Sequence, residues 1–81
     1  MTLPELKRMI IEMITEASDA DFEITENTHI VNEIGMSSVE IMLLISDIED
    51  RFGISIPTSR LRSVETVADL IRVVVDTLMR K

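Results

Sequence analysis

The stretch that decides the fold runs from Glu33 to Pro57, "EIGMSSVEIMLLISDIEDRFGISIP". Ser37 offers a side-chain oxygen to the first amides of a following helix, and Glu40, three residues on, can return a bond to the Ser37 amide, the pattern of a capping box. Gly53 follows Phe52 where helices commonly close on a left-handed residue. Between these signals, at about 100° per residue, Ile41, Leu44, Ile45, Ile48 and Phe52 fall on one narrow stripe. A helix over about Ser38 to Phe52 is predicted, with that stripe against a core. Val39 and Leu43 lie opposite the stripe and Met42 on its shoulder, among Ser46 and Asp50. Small domains seldom leave three adjacent aliphatics in water without a reason, the alternative being that the short third helix or the loop covers part of them.

Outward from this helix, the chain punctuates itself in both directions. Toward the N-terminus, Leu6, Met9, Ile10, Met13, Ile14 and Ala17 repeat at helical spacing, Thr2 can cap, Pro4 suits an early helical position and Glu5 completes a capping box, so a first helix is predicted from about Pro4 to Ser18. From Asp19 to Met36 the periodicity lapses into a long polar loop. Phe22, Ile24, Ile30, Val31 and Ile34 should pin it over the core, with a short turn near Thr28 to Glu33. After Gly53, "ISIPTSRLR" reads as an extended connector and one or two helical turns around Thr58 to Arg62. Thr66 and Asp69 then form another capping pair. Val67, Leu70, Ile71, Val74 and Leu78 make the stripe of a last helix, about Val67 to Met79, ending among Arg80 and Lys81, where cations suit the dipole. The expected fold is all-α, a small four-helix bundle of three main helices and one short one, with a long first loop and one domain over residues 1–81.

Composition narrows the function by exclusion. Acids outnumber bases by 15 to 8, a net charge of −7, which argues against nucleic acid and suits a partner with a basic surface. There is no cysteine, hence no thiolate nucleophile, disulfide or zinc-thiolate site. The single histidine, His29, has no nucleophile motif beside it and reads as a loop residue. "DADFEITENTHI", Asp19 to Ile30, opens like a calcium loop, but its sixth position is Ile24 rather than glycine and its twelfth is Ile30 rather than a carboxylate. No metal site and no catalytic residue is expected. With no long apolar run and no signal-peptide pattern at "MTLPELKRMIIEM", the sequence predicts neither a membrane span nor export, and a cytoplasmic monomer is expected.

A glycine, paired serines at a helix start, an acidic helix and a phenylalanine before "GISIP" together resemble the acyl carrier protein family, the phosphopantetheine-binding carriers. The resemblance covers nearly the whole chain: "NTHIVNEIGMSSVE" leads into the second helix, "IEDRFGISIP" closes it and "TVADLI" opens the last. The family's site commonly reads Gly-x-Asp-Ser-Leu and here reads Gly35-Met36-Ser37-Ser38-Val39, so the resemblance places Ser38 in the modified position. It implies a non-enzymatic protein to which a phosphopantetheinyl transferase attaches 4'-phosphopantetheine from coenzyme A, the reactive thiol that a chain without cysteine lacks arriving with the prosthetic group. Acyl intermediates would then be held as thioesters for acyl-loading enzymes, synthases or acyltransferases of fatty-acid, polyketide or related synthesis.

Three departures from the family pattern qualify that expectation. Ser37 stands where aspartate is usual: it can cap, but it brings no charge for a transferase to recognise. Val39 replaces leucine, and Leu43 occupies a place that is often acidic, while Glu40, Asp47, Glu49 and Asp50 keep the general acidity. Arg60 and Arg62 sit on the short helix where many relatives are acidic. Partners should therefore read Val39, Met42 and Leu43 together with Glu40, Asp47 and Asp50. Leu44, Ile45, Ile48 and Ile71, core residues first, are candidates to part around an acyl chain. The alternative readings are a carrier-like helical module that is never modified, and a peptidyl or aryl carrier.

Overall fold

The structure, a computed structural model, describes residues 1–80. Four α-helices follow in chain order: α1 Leu3–Ala17, α2 Ser38–Phe52, α3 Thr58–Leu61 and α4 Val67–Met79. The architecture is the expected all-helical bundle, with α1 packed on α2 and on α4, and α3 on α4. Lys81, expected to favour the dipole of α4, lies outside the described residues.

The two capping boxes foreseen for α2 and α4 both form. Ser37 Oγ accepts from Glu40 N–H while Glu40 Oε1 accepts from Ser37 N–H, and Thr66 and Asp69 repeat the arrangement. At α1 the box is incomplete. Thr2 Oγ1 accepts from Glu5 N–H, but the Glu5 carboxylate accepts from the Thr2 hydroxyl rather than from the Thr2 backbone N–H, and helical geometry begins at Leu3, one residue early, and ends at Ala17, one residue before Ser18. Gly53 closes α2 at φ 64°, where a Cβ would be strained, and its N–H returns to Glu49 C=O.

The core is one aliphatic cluster. Leu6, Ile10, Met13 and Ile14 of α1 meet Leu44, Ile45 and Ile48 of α2 and the wide buried face of α4, Val67, Leu70, Ile71, Val73 and Val74. Burial of Val73 as well as Val74 shows that α4 is covered on more than the single stripe its spacing indicated, because it packs against α1, α3 and the long loop. Ile41 and Phe52, placed on the core stripe of α2, are only half-buried at its edge.

The long loop is docked rather than loose, by bonds that the sequence did not disclose. The first amides of α4, which have no intrahelical acceptor, donate to it: Val67 N–H to Thr28 C=O at 3.0 Å and Ala68 N–H to Glu26 C=O at 2.8 Å, while Ile30 N–H donates to Glu65 C=O at 2.9 Å. Thr28, buried, braces the turn by accepting from Thr25 N–H. Of the loop's apolar residues, Ile24 and Ile30 are buried and Ile34 half-buried, but Phe22 and Val31 face solvent. The expectation that all five pin the loop is corrected: its bonds to α4 set which side faces inward. The expected short turn is a single π-helical turn, Ile30–Ile34, begun by Glu33 and Ile34 N–H sharing His29 C=O, both at 3.1 Å.

Candidate functional site at the start of the second helix

The path into α2 is set by a sharp reversal. Gly35 takes a left-handed φ of 78°, and its N–H, together with that of Met36, donates to Ile30 C=O. No atom would meet a Cβ at Gly35, so glycine is required there by backbone conformation rather than by space. Met36 then drops into the core, 4% exposed. That anchor, which the sequence reading missed, fixes the two serines that follow at the surface.

Ser37 and Ser38 sit in different environments. Ser37 is committed to the cap, with Oγ 3.2 Å from Glu40 N and its own N–H 3.0 Å from Glu40 Oε1. Ser38 is the first helical residue and is exposed, and among the described residues its hydroxyl has no hydrogen-bond partner. The N–H groups of Ser38 and Val39 likewise have no protein acceptor among the described residues, unlike their counterparts at α4. An anionic group on Ser38 Oγ would thus sit at the positive end of α2, beside open donors. The Glu40 carboxyl is held below the ordinary glutamate range, first by the Ser37 backbone N–H and then by its hydroxyl, so it is charged at neutral pH and partly offsets that end's positive field. The residues present accordingly fit a phosphodiester, with the carboxylate keeping the local field moderate.

Around the serine, the outer side of α2 carries the apolar patch that the spacing indicated. Val39, Met42 and Leu43 are 68%, 65% and 63% exposed. Glu40, Asp47 and Asp50 are exposed on the same broad face, Asp47 and Asp50 also edging a groove shared with Glu16 of α1. Glu49, counted with the surface acids in the sequence, is instead structural: Oε2 accepts from Ile56 N–H at 2.7 Å and pins the connector after α2. Arg60 is likewise engaged, its Nη2 2.9 Å from Asp76 Oδ2.

An apolar cavity of about 50 Å³ lies beneath α2, lined by Ile41, Leu44 and Ile45, by Leu61 and Val64, by Leu70 of α4, and by Ile30 and Val31 of the loop. Of the four expected pocket residues, Leu44 and Ile45 line it. Ile48 and Ile71, buried in the core, are not among its lining residues.

An all-helical bundle with an exposed serine at a helix start, its hydroxyl unpartnered among the described residues, has the form of a protein able to bear a covalently attached group. Comparison with known proteins agrees. The family model described as "Phosphopantetheine attachment site" matches residues 8–74. Similar proteins include a probable acyl carrier protein of Caulobacter vibrioides, 40% identical over 72% of this chain and 67% of that one. An acyl carrier protein of Lactobacillus acidophilus is 31% identical over 88% and 90%, and one of Sulfurovum is 26% identical over 84% and 87%. This chain belongs to the acyl carrier protein family, whose covalently attached cofactor is 4'-phosphopantetheine. Among the described residues no helix is long and apolar enough to cross a membrane.

Proposed function

We propose that Ser38 is the attachment residue and that the protein, itself no catalyst, carries acyl groups as thioesters for fatty-acid, polyketide or related synthesis. The observation that carries this reading is the division of labour at α2: Ser37 is consumed by the cap, while Ser38 presents in the first turn a hydroxyl that is free among the described residues. Attachment requires Ser38 Oγ to attack the phosphorus nearer the pantetheine in coenzyme A. The P–O bond of the anhydride breaks, adenosine 3',5'-bisphosphate departs, and the hydroxyl proton passes to a base of the transferase. The group when bound supplies a thiol. The chain's own residues hold the attachment point rigid, through Met36 and the Ser37–Glu40 cap, and offer the amides of Ser38 and Val39 to the phosphate.

Transferase and cargo enzymes would dock on the outer face of α2, reading Val39, Met42 and Leu43 as an apolar centre and Glu40, Asp47 and Asp50 as an acidic rim. The apolar cavity favours aliphatic acyl cargo over amino acids or polar aryl acids, because nothing in its lining could pair with a buried polar group. Incubation with coenzyme A and a broad-specificity transferase tests the assignment by intact mass. Wild type and Ser37→Ala should gain the prosthetic group and Ser38→Ala should not. Gain by Ser38→Ala but not by Ser37→Ala would move the site, and no gain by any form would favour an unmodified helical module.

A further inference from the structure

The cavity beneath α2 is closed on one side by Leu61 and Val64, which belong to the segment between Ile56 and Glu65. That segment is fastened at both ends. Ile56 N–H donates to Glu49 Oε2 at 2.7 Å, and Glu65 is tied through its N–H to Asp69 Oδ2 at 3.0 Å and through its C=O to Ile30 N–H at 2.9 Å. Between the anchors its backbone, among the described residues, bonds only to itself, as in Arg60 N–H to Pro57 C=O at 3.0 Å and Val64 N–H to Leu61 C=O at 3.2 Å. Helix α3 is four residues long with no side-chain cap, too short to persist on its own. Among the described residues, one polar side-chain tie runs from this segment to the bundle: Arg60 Nη2 donates to Asp76 Oδ2 at 2.9 Å.

A cavity of about 50 Å³ has room for roughly one or two water-sized groups. A longer alkyl chain needs more room, which an outward swing of Leu61 and Val64 would supply, and that swing would draw Arg60, adjacent to Leu61, away from Asp76. We propose that the Arg60–Asp76 pair is a latch on this segment that determines how readily the carrier shelters longer acyl chains, an inference that rests on the carrier reading above. Arg80 Nη2 stands 3.9 Å from the same Asp76 oxygen. The carboxylate therefore keeps a cationic neighbour when Arg60 departs, and opening strands no negative charge. Both partners are partly exposed, with side chains 32% and 46% accessible. A pair of that kind shifts an open-to-closed ratio by about 1.5- to 5-fold, so the latch tunes the opening and does not forbid it.

The test loads wild type, Arg60→Gln, Asp76→Asn and the double variant with butyryl- or decanoyl-pantetheine, confirms loading by intact mass and records the methyl NMR shifts of Ile41, Leu61 and Val64. Arg72→Gln, which removes an ion pair with Asp69 at 3.7 Å outside the segment, is the control. Decanoyl cargo should move these methyls further toward the open state in either single variant than in wild type, with the double no further than the singles, butyryl cargo alike in all and the control like wild type. Decanoyl shifts equal in wild type and variants would overturn the latch. If no form gains the prosthetic group, the carrier reading fails, and the latch is decided on the unmodified protein. There the Val64 amide should exchange about 1.5- to 5-fold faster in Arg60→Gln and Asp76→Asn, and an unchanged rate would overturn it.

Discussion

Replacing each of the two serines by alanine tests whether the capping hydroxyl and the proposed attachment hydroxyl are separate. Ser37→Ala deletes the oxygen 3.2 Å from Glu40 N and leaves that amide without an acceptor, while Glu40 Oε1 can still accept from the amide of residue 37 at 3.0 Å. Loss of a serine cap costs about 0.5 to 2 kcal/mol, and survival of the reciprocal bond places this case in the lower half, about 0.5 to 1 kcal/mol. In a domain of this size that lowers Tm by roughly 2 to 8 °C. Ser38→Ala removes a hydroxyl with no partner among the described residues from an exposed first-turn position and installs the best helix former, so stability should stay within about 0.5 kcal/mol of wild type. Urea unfolding followed by circular dichroism reads both as shifts in midpoint at constant slope. A Ser38→Ala protein as destabilised as Ser37→Ala, or more so, would refute the division of roles.

Ile48 is fully buried, and Ile48→Ala should cost about 2 to 5 kcal/mol, a large part of the roughly 4 to 12 kcal/mol expected for a chain this long; a midpoint near wild type would contradict its place in the core. Met42→Gln with Leu43→Gln should leave stability within about 0.5 kcal/mol yet weaken transferase or loading-enzyme binding by about fivefold or more, the level at which an interface side chain counts. Unchanged affinity by calorimetry would remove the patch from the docking face. Asp69 and Asp76 are both held below the ordinary aspartate range, Asp69 chiefly by the Thr66 and then the Glu65 backbone N–H, Asp76 chiefly by the Arg60 guanidinium. Because the unfolded chain binds those protons more readily, their contribution is present above the ordinary value and is lost as pH falls through the lowered folded values. The urea midpoint should be level above about pH 5 and decline below about pH 4, less steeply in Asp69→Asn; a midpoint indifferent to acid would contradict the pairing.

What the sequence disclosed was local. The bounds of α2 and α4 could be read because capping pairs and Gly53 act within three or four residues, and the outward position of Val39, Met42 and Leu43 follows from helical angle alone. What it did not disclose depends on partners far along the chain. Met36 looked like one more loop residue, yet its burial under the Gly35 reversal positions the serines. Glu49 and Arg60 resembled solvated surface charges, but their donor and acceptor lie seven and sixteen residues away, at Ile56 and Asp76. The inward side of the long loop was set by the free amides of α4, which no periodicity in the loop encodes. Ile48 and Ile71 belong to the core but not to the cavity, a distinction that requires knowing where α3 and its turn lie.

The attachment site itself is tested most directly by fragment-ion mapping of the peptide spanning Glu33 to Arg51, taken from protein carrying the prosthetic group. The phosphodiester is predicted on Ser38, with Ser37 unmodified. A modification mapped to Ser37, or to any other hydroxyl, would contradict the assignment of the cap to one serine and the cargo arm to the other.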